Sequence, residues 1–277
     1  MRSYTKYLRD SAPRMAQWAN SHCRGSYLDR ESCEWYHGSW QFLKLAEMVS
    51  NPRWHAAFFV SSIRTFASGV RTPRILISAA ADEGMLDTVL DALVSLTFDS
   101  LHIVVLDSCP TPLLANREYG KFRNQRADCV RVDAMQTPFR SNVFDIIVTD
   151  AFLTRFDSGD RQHLVSEWHR MLNHGGIVVT TARLVNGSLS GPDEKEILIA
   201  HFVTRAMESA TRLGLDPSFM GRIARAYAIN MKSNPFETEG ELQSLFQEFA
   251  DVTIYPPVPT RGELKPATYA QLVARKQ

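Results

Sequence analysis

Phe144-Asp-Ile-Ile-Val-Thr-Asp150, followed later by Leu172-Asn-His-Gly-Gly-Ile-Val-Val179, decides the fold class. Both stretches carry runs of branched apolar residues, the pattern of strands covered on both faces. Between them, Asp160 to Leu172 reads as a helix with Leu164, Trp168 and Met171 on one face. His174-Gly175-Gly176 stops that helix before a strand from Ile177 to Thr181. Strand, helix and strand in this order form the unit of a parallel sheet, because parallel neighbours need a long crossover.

The same alternation continues upstream. Arg74-Ile-Leu-Ile-Ser78 is a short apolar strand, and Gly84 opens a helix with Leu86, Leu90 and Leu93 on one stripe. Leu101 to Leu106 is a second strand, Cys129 to Asp133 a third and Phe144 to Asp150 a fourth. Units of this kind in series predict a doubly wound α/β domain, whose ligands sit at the carboxyl ends of the strands. Downstream, Asn186 to Asp193 reads as loop, and Glu194 to Thr211 and Phe219 to Lys232 as helices. The stripe Leu242, Leu245, Phe246 and Phe249 precedes a strand from Val252 to Tyr255, and Tyr269 to Arg275 is a last strand. These two strands are expected to complete the sheet as an antiparallel edge hairpin.

The first 70 residues differ in character. Gly38 to Val49 and Trp54 to Ala67 read as helices, with Trp35, Tyr36, His37 and Trp40 crowding the approach to the first. The expected organisation is a helical cap over 1–70, with a dimerisation arm as the alternative, and an α/β domain over 71–277 with a helical insertion at about 184–235.

Composition narrows the function classes. With 44% apolar residues in 277, the chain can bury one large core, which excludes a disordered or disulfide-stapled chain. The 31 basic residues against 30 acidic ones give no electrostatic reason to expect nucleic acid or an anionic membrane. Met1 to Met15 does not read as a secretory signal, and no apolar run reaches the roughly 18 residues of a transmembrane helix. The scattered Cys23, Cys33, Cys109 and Cys129 suggest a reducing, cytoplasmic setting. His22, Cys23, Cys33 and His37 lack the tight cysteine knuckle of a structural zinc site, so no metal is expected.

From Arg74 to Lys276 the arrangement resembles the class I S-adenosylmethionine-dependent methyltransferases, most specifically in the strand ending at Asp150 and the Gly175-Gly176 turn. The resemblance implies a mostly parallel seven-stranded, Rossmann-like sheet and S-adenosylmethionine as cofactor. In that family the first strand runs into a Gly-rich turn beneath the methionine part of the cofactor. The matching stretch here, Ser78-Ala79-Ala80-Ala81-Asp82-Glu83-Gly84, keeps small residues but has one glycine, and Ile77 stands where the family usually has an acid. Ser78, Ala79 and Ala81 are thereby implied as cofactor contacts.

Asp107, followed by Ser108, stands where the family holds the ribose hydroxyls; its alternative is a turn cap before Pro110. Asp133-Ala134 resembles the pair that contacts adenine, the alternative being an exposed turn. Asp150-Ala151-Phe152 falls where the family places methyl group and acceptor. There Asp150 would bind the cofactor amine, orient a nucleophile or cap a helix, and Phe152 would line the sulfonium. A nicotinamide cofactor is disfavoured because no G-x-G-x-x-G is present.

On the acceptor side the candidates are Tyr36, His37 and Trp40 from the cap, and Arg222, Arg225 and Tyr227 from the insertion. The catalytic candidates are His37, Tyr36 and Asp150, with His37 taking a proton from the acceptor or else simply packing. The expected function is methyl transfer to a nitrogen, oxygen or carbon nucleophile of a small molecule. The alternatives are intramolecular cyclisation of the cofactor with release of methylthioadenosine, and a non-catalytic binding or scaffold protein. The expected partners are a small-molecule substrate, without nucleic acid or membrane, for a monomer or homodimer.

Overall fold

The computed structural model describes residues 4–23, 32–185, 192–259, 264 and 267–277. In chain order the helices are α1 Tyr4–His22, α2 Glu34–Leu45, α3 Ala56–Ala67, α4 Gly84–Leu93, α5 Pro110–Phe122, α6 Ser158–Met171, α7 Pro192–Leu213, α8 Pro217–Asn230 and α9 Glu239–Leu245. The strands are β1 Arg74–Ser78, β2 His102–Asp107, β3 Asp128–Arg131, β4 Phe144–Asp150, β5 Leu172–Leu184, β6 Asp251–Pro259 and β7 Thr268–Arg275. The chain forms two compact units, one of Met1–Ser50, Asn186–Lys232 and Pro259–Ala267, the other of Asn51–Val185, Ser233–Val258 and Thr268–Gln277.

The second unit holds the seven-stranded sheet, in the order β3-β2-β1-β4-β5-β7-β6. β1 runs parallel to both β2 and β4, β4 runs parallel to β5, and β7 pairs antiparallel with β5. This is the mostly parallel, doubly wound sheet that the alternation of elements predicts. Its central strands are apolar throughout because helices cover them, and Ile75, Leu76 and Ile77 are fully buried. On one face, Leu164, Trp168 and Met171 of α6 pack among Leu76, Ile147 and Val178.

β5 begins earlier than the sequence suggests. Gly175 adopts φ +76°, and a Cβ at Gly176 would lie 2.9 Å from Asn173 O and 3.0 Å from Asp145 O. The pair thus turns the end of α6 directly into the sheet rather than into a loop. Asp145 fixes the register there, accepting from Arg74 N at 2.9 Å and from Asn173 Nδ2 at 2.7 Å.

The first unit is helical. α1 is an element that the sequence reading leaves unassigned: it buries Tyr7, Leu8, Ala12, Met15 and Ala19 along one stripe, with Pro13 inside it. Proline removes a helical hydrogen bond. Pro13 lies on the exposed face of the helix, so solvent can serve the freed carbonyl. α2 approaches α1 closely at Gly38, where an added Cβ would lie 3.5 Å from Ala19 Cβ, and Ser11 Oγ donates to Gln41 Oε1 at 2.9 Å.

The first stretch of the helical unit ends at Ser50. α3 belongs with the sheet, since Arg64 Nε and Nη2 donate to Ala92 O and Asp91 O of α4, both at 3.0 Å. The loop expected at 186–193 lies largely outside the described residues. Among the described residues no helix is long and apolar enough to cross a membrane.

Candidate functional site

Strand order reverses at β1, with β2 on one side and β4 on the other. Such a reversal opens a crevice beyond the carboxyl ends of the strands, where ligands of open α/β sheets bind. Three turns line it here: β1 to α4, β2 to α5, and β4 to a 3₁₀ turn at Phe152–Arg155.

The first turn is built by its neighbours. Ala79 N donates to Leu106 O at 3.0 Å, Ala80 N donates to Asp107 Oδ2 at 3.1 Å, and Asn116 Nδ2 donates to Asp82 O at 3.1 Å. Gly84 N donates to Asp82 Oδ1 at 2.9 Å as α4 begins. These bonds hold Ala79 in the left-handed region, φ +65°, where a β-carbon costs about 1–2 kcal/mol. Glycine would avoid that strain and lose more chain entropy in exchange. Ala79→Gly is therefore expected to raise the unfolding free energy by about 0.5–1 kcal/mol. The check is a urea midpoint that moves upward with unchanged slope.

Asp107 ties the first two turns together, because its other oxygen accepts from Cys109 N at 2.7 Å. Its carboxylate is part-buried and held at the mouth of β2. Ser108 lies beside it, with its carbonyl accepting from Arg131 Nε at 3.1 Å. Asp133 accepts from Met135 N at 3.0 Å at the end of β3, and Ala134 is buried.

Asp150 closes β4. Its Oδ1 accepts from Thr181 Oγ1 of β5 at 2.5 Å, and that hydroxyl in turn accepts from Ala151 N at 3.0 Å. Ala151 also adopts a left-handed φ of +52°, and Phe152 meets Phe156 edge-on with centroids 4.8 Å apart. Burial raises the Asp150 carboxyl above the usual carboxylate range, and His55 and the Thr181 hydroxyl offset this only in part.

His55 is a residue of this site that the sequence reading missed. It is 1% exposed, its Nδ1 stands 3.4 Å from Gln271 Nε2 of β7, and its ring lies 5.3 Å from that of Tyr269. A local signal was present. Asn51-Pro52 caps a separate 3₁₀ turn over Pro52–His55, with Asn51 Oδ1 accepting from Arg53 N at 3.1 Å, so His55 ends a turn rather than sitting within one long helix.

The other expected residues are distributed differently. Ser78 is fully buried and its hydroxyl accepts from Trp168 Nε1 at 3.0 Å, so that side chain serves the core. Tyr36 and His37 lie on α2 in the first unit. Tyr36 stacks on Tyr227 at 6.3 Å and 20° and contacts Trp40 at 4.9 Å. His37 is buried, with Nδ1 3.5 Å from Cys23 Sγ. Arg225 donates to Glu196 Oε1 at 3.0 Å on an exposed helix face, and the Arg222 guanidinium lies 5.9 Å from the Phe219 ring centre.

A family model described as a methyltransferase domain matches residues 88–180, from within α4 into β5. Among solved structures, the chain is similar to a SAM-dependent methyltransferase from Methanosarcina mazei, with 16% identity and TM-score 0.50 over 78% of this chain and 96% of that one. A putative O-methyltransferase from Nostoc punctiforme has 16% identity and TM-score 0.50 over 97% and 69%. A putative sarcosine dimethylglycine methyltransferase from Galdieria sulphuraria has 11% identity and TM-score 0.50 over 81% and 86%. At these identities the likeness to solved structures is one of fold. A search of curated proteins finds no match.

Proposed function

We propose that this chain, by domain and fold a class I S-adenosylmethionine-dependent methyltransferase, transfers the methyl group to a nitrogen, oxygen or carbon nucleophile of a small molecule. The observation that carries the reading is Asp107. One carboxylate links the β1 and β2 turns through Ala80 N and Cys109 N, and each of its oxygens keeps a lone pair with which to accept a ribose hydroxyl. Asp133 and Ala134 suit the adenine, and the backbone of Ala79 to Ala81, with no side chain beyond Cβ, lets the methionine portion approach closely.

The cofactor supplies an electrophilic methyl group on a sulfonium. The protein's own part is alignment, exclusion of water and removal of any proton from the acceptor. Asp150 is proposed to take that proton on its carboxylate, in place of His37, which lies in the helical unit. The Thr181 hydroxyl orients the Asp150 carboxylate, and His55 favours its ionised form. A raised carboxyl suits a general base, whose best value lies near the working pH. The small-molecule reading is supported by the near-zero net charge and by the likeness to a structure named for sarcosine and dimethylglycine.

Calorimetric titration with S-adenosylmethionine and S-adenosylhomocysteine, followed by an acceptor screen read by mass spectrometry, tests this. Selective binding of both is expected, with methylated product and S-adenosylhomocysteine formed together. Asp107→Ala is expected to weaken cofactor binding by about 10- to 100-fold, the worth of one charge-assisted hydrogen bond. Methylthioadenosine as the product would mean cyclisation instead. Binding by neither compound would leave a scaffold role.

A further inference from the structure

We propose that Cys23, Cys33 and His37 form a binding site for zinc in the helical unit. The two Sγ atoms and an imidazole nitrogen all lie within 4.8 Å of one another. Nine residues separate the two cysteines in sequence, where structural zinc sites use a tight knuckle. The fold closes that gap, since Cys23 follows the last residue of α1 and Cys33 precedes the first of α2.

Backbone bonds hold the three donors in place. Cys23 N donates to Ala19 O at 2.9 Å as α1 ends, and Ser32 Oγ donates to Cys23 O at 2.7 Å, joining the two ends. His37 N donates to Cys33 O at 3.1 Å, so Cys33 and His37 stand one helical turn apart on a single face. His22 is excluded from the set, because its Nδ1 contacts Trp18 O at 2.9 Å on the exposed side.

The spacing suits the metal. Zinc–sulfur and zinc–nitrogen distances of about 2.3 and 2.0–2.1 Å at a tetrahedral angle separate the two donor atoms by about 3.5 Å. Cys23 Sγ and His37 Nδ1 are 3.5 Å apart. Two thiolates and an imidazole form a borderline-soft donor set, which selects zinc over magnesium or calcium. Cys23 and His37 are buried and Cys33 is part-buried, so a metal would be sheltered yet reachable. Binding displaces the two thiol protons to solvent and leaves the imidazole neutral. Its structural effect is to fasten the end of α1 to the start of α2.

The test uses the full chain kept under reductant. Elemental analysis of protein purified without chelator is expected to give zinc equimolar with chain. After chelation, cobalt(II) titration is expected to produce a thiolate-to-cobalt charge-transfer band and the visible bands of a tetrahedral site. Zinc is expected to displace both. Cys33→Ser is expected to lower metal affinity by about 100-fold or more, beyond the usual loss for an outer-shell partner, and to weaken the charge-transfer band. The unaltered chain supplies a readout even if the variant fails to fold. Absence of stoichiometric cobalt uptake by the reduced, unaltered chain would overturn the site. An unchanged cobalt spectrum in both Cys33→Ser and His37→Gln would also overturn it.

Discussion

Asp150→Asn is expected to lower the rate of methyl transfer by about 10²- to 10⁴-fold, the usual worth of a positioned general base, for an acceptor that carries a proton on its nucleophilic atom. Asparagine keeps the size of the side chain and can still accept from Thr181 Oγ1, so the β4 turn should survive. S-adenosylhomocysteine affinity is therefore expected to change little, which separates a proton role from a cofactor-binding role. The pH profile adds a second readout. The base is active only when ionised, and burial holds its carboxyl above the usual range, so activity rises with pH through that elevated value. Stability moves the other way. The folded chain holds this proton more tightly than the unfolded chain, so the contribution of Asp150 is most favourable below the unfolded carboxylate value of about 4 and declines as pH rises through the raised one. Asp150→Asn should flatten that part of the stability curve. A normal rate in the variant, with an unshifted profile, would remove Asp150 from the proton path.

A variant outside the proposed cofactor contacts should show the largest loss of stability. Asp87 on α4 is 2% exposed and accepts from the Tyr119 hydroxyl, from Arg53 Nη1, and from Arg123 Nη1 at 2.6 Å. Arg123 is itself largely buried and also meets Asp91 at 3.1 Å. Asp87→Ala takes one of two carboxylate partners from the part-buried Arg123 guanidinium and leaves the buried Tyr119 hydroxyl without its acceptor, and a loss of about 2–4 kcal/mol is expected. Arg53 adds little to that figure, because its side chain is 44% exposed and solvent can take over its contact. Equilibrium urea unfolding is the measurement. The double variant Asp87→Leu with Arg123→Met should recover much of the loss, because removing both charges also removes the uncompensated one. If the double variant were as unstable as the sum of the single ones, the penalty would come from packing instead. The network also bears on the site: Asp87 joins α4 to α5, the helices that follow the β1 and β2 turns, and Arg53 lies two residues before His55.

Much of this fold was legible because its strands and helices differ in period. Branched runs such as Phe144 to Asp150, helical stripes such as Leu164, Trp168 and Met171, and the Gly175-Gly176 stop are local signals, and each marks a described element. α1 was not legible, since Pro13 argues against a helix unless one knows that it faces solvent. The strand-end acids were legible as positions. Their partners were not, because Asp107 to Ala80, Asp150 to Thr181 and Ser78 to Trp168 are contacts made across the sheet or through the core. The neighbour of His55, Gln271, likewise lies 216 residues away in sequence, and the Asn51-Pro52 cap marks the turn that ends at His55 without marking that neighbour. Cys23 and Cys33 were visible as residues, but only a helical hairpin makes nine intervening positions a short distance in space.

The strand order also bears on how the sheet assembles. β6 precedes β7 along the chain yet lies outside it, so β6 joins the rest of the sheet only through the pairing of β7 with β5. Leu184 must find Thr268 across a long sequence separation, a closure that is slow because entropy is lost before contacts compensate. The parallel core β3-β2-β1-β4-β5 involves shorter separations and can form first, leaving β5 as a temporarily exposed apolar edge. During that interval the protein is most exposed to intermolecular strand pairing. Low-concentration refolding, or a chaperone that shields an open sheet edge, should therefore improve the yield of this chain more than added thermodynamic stability would.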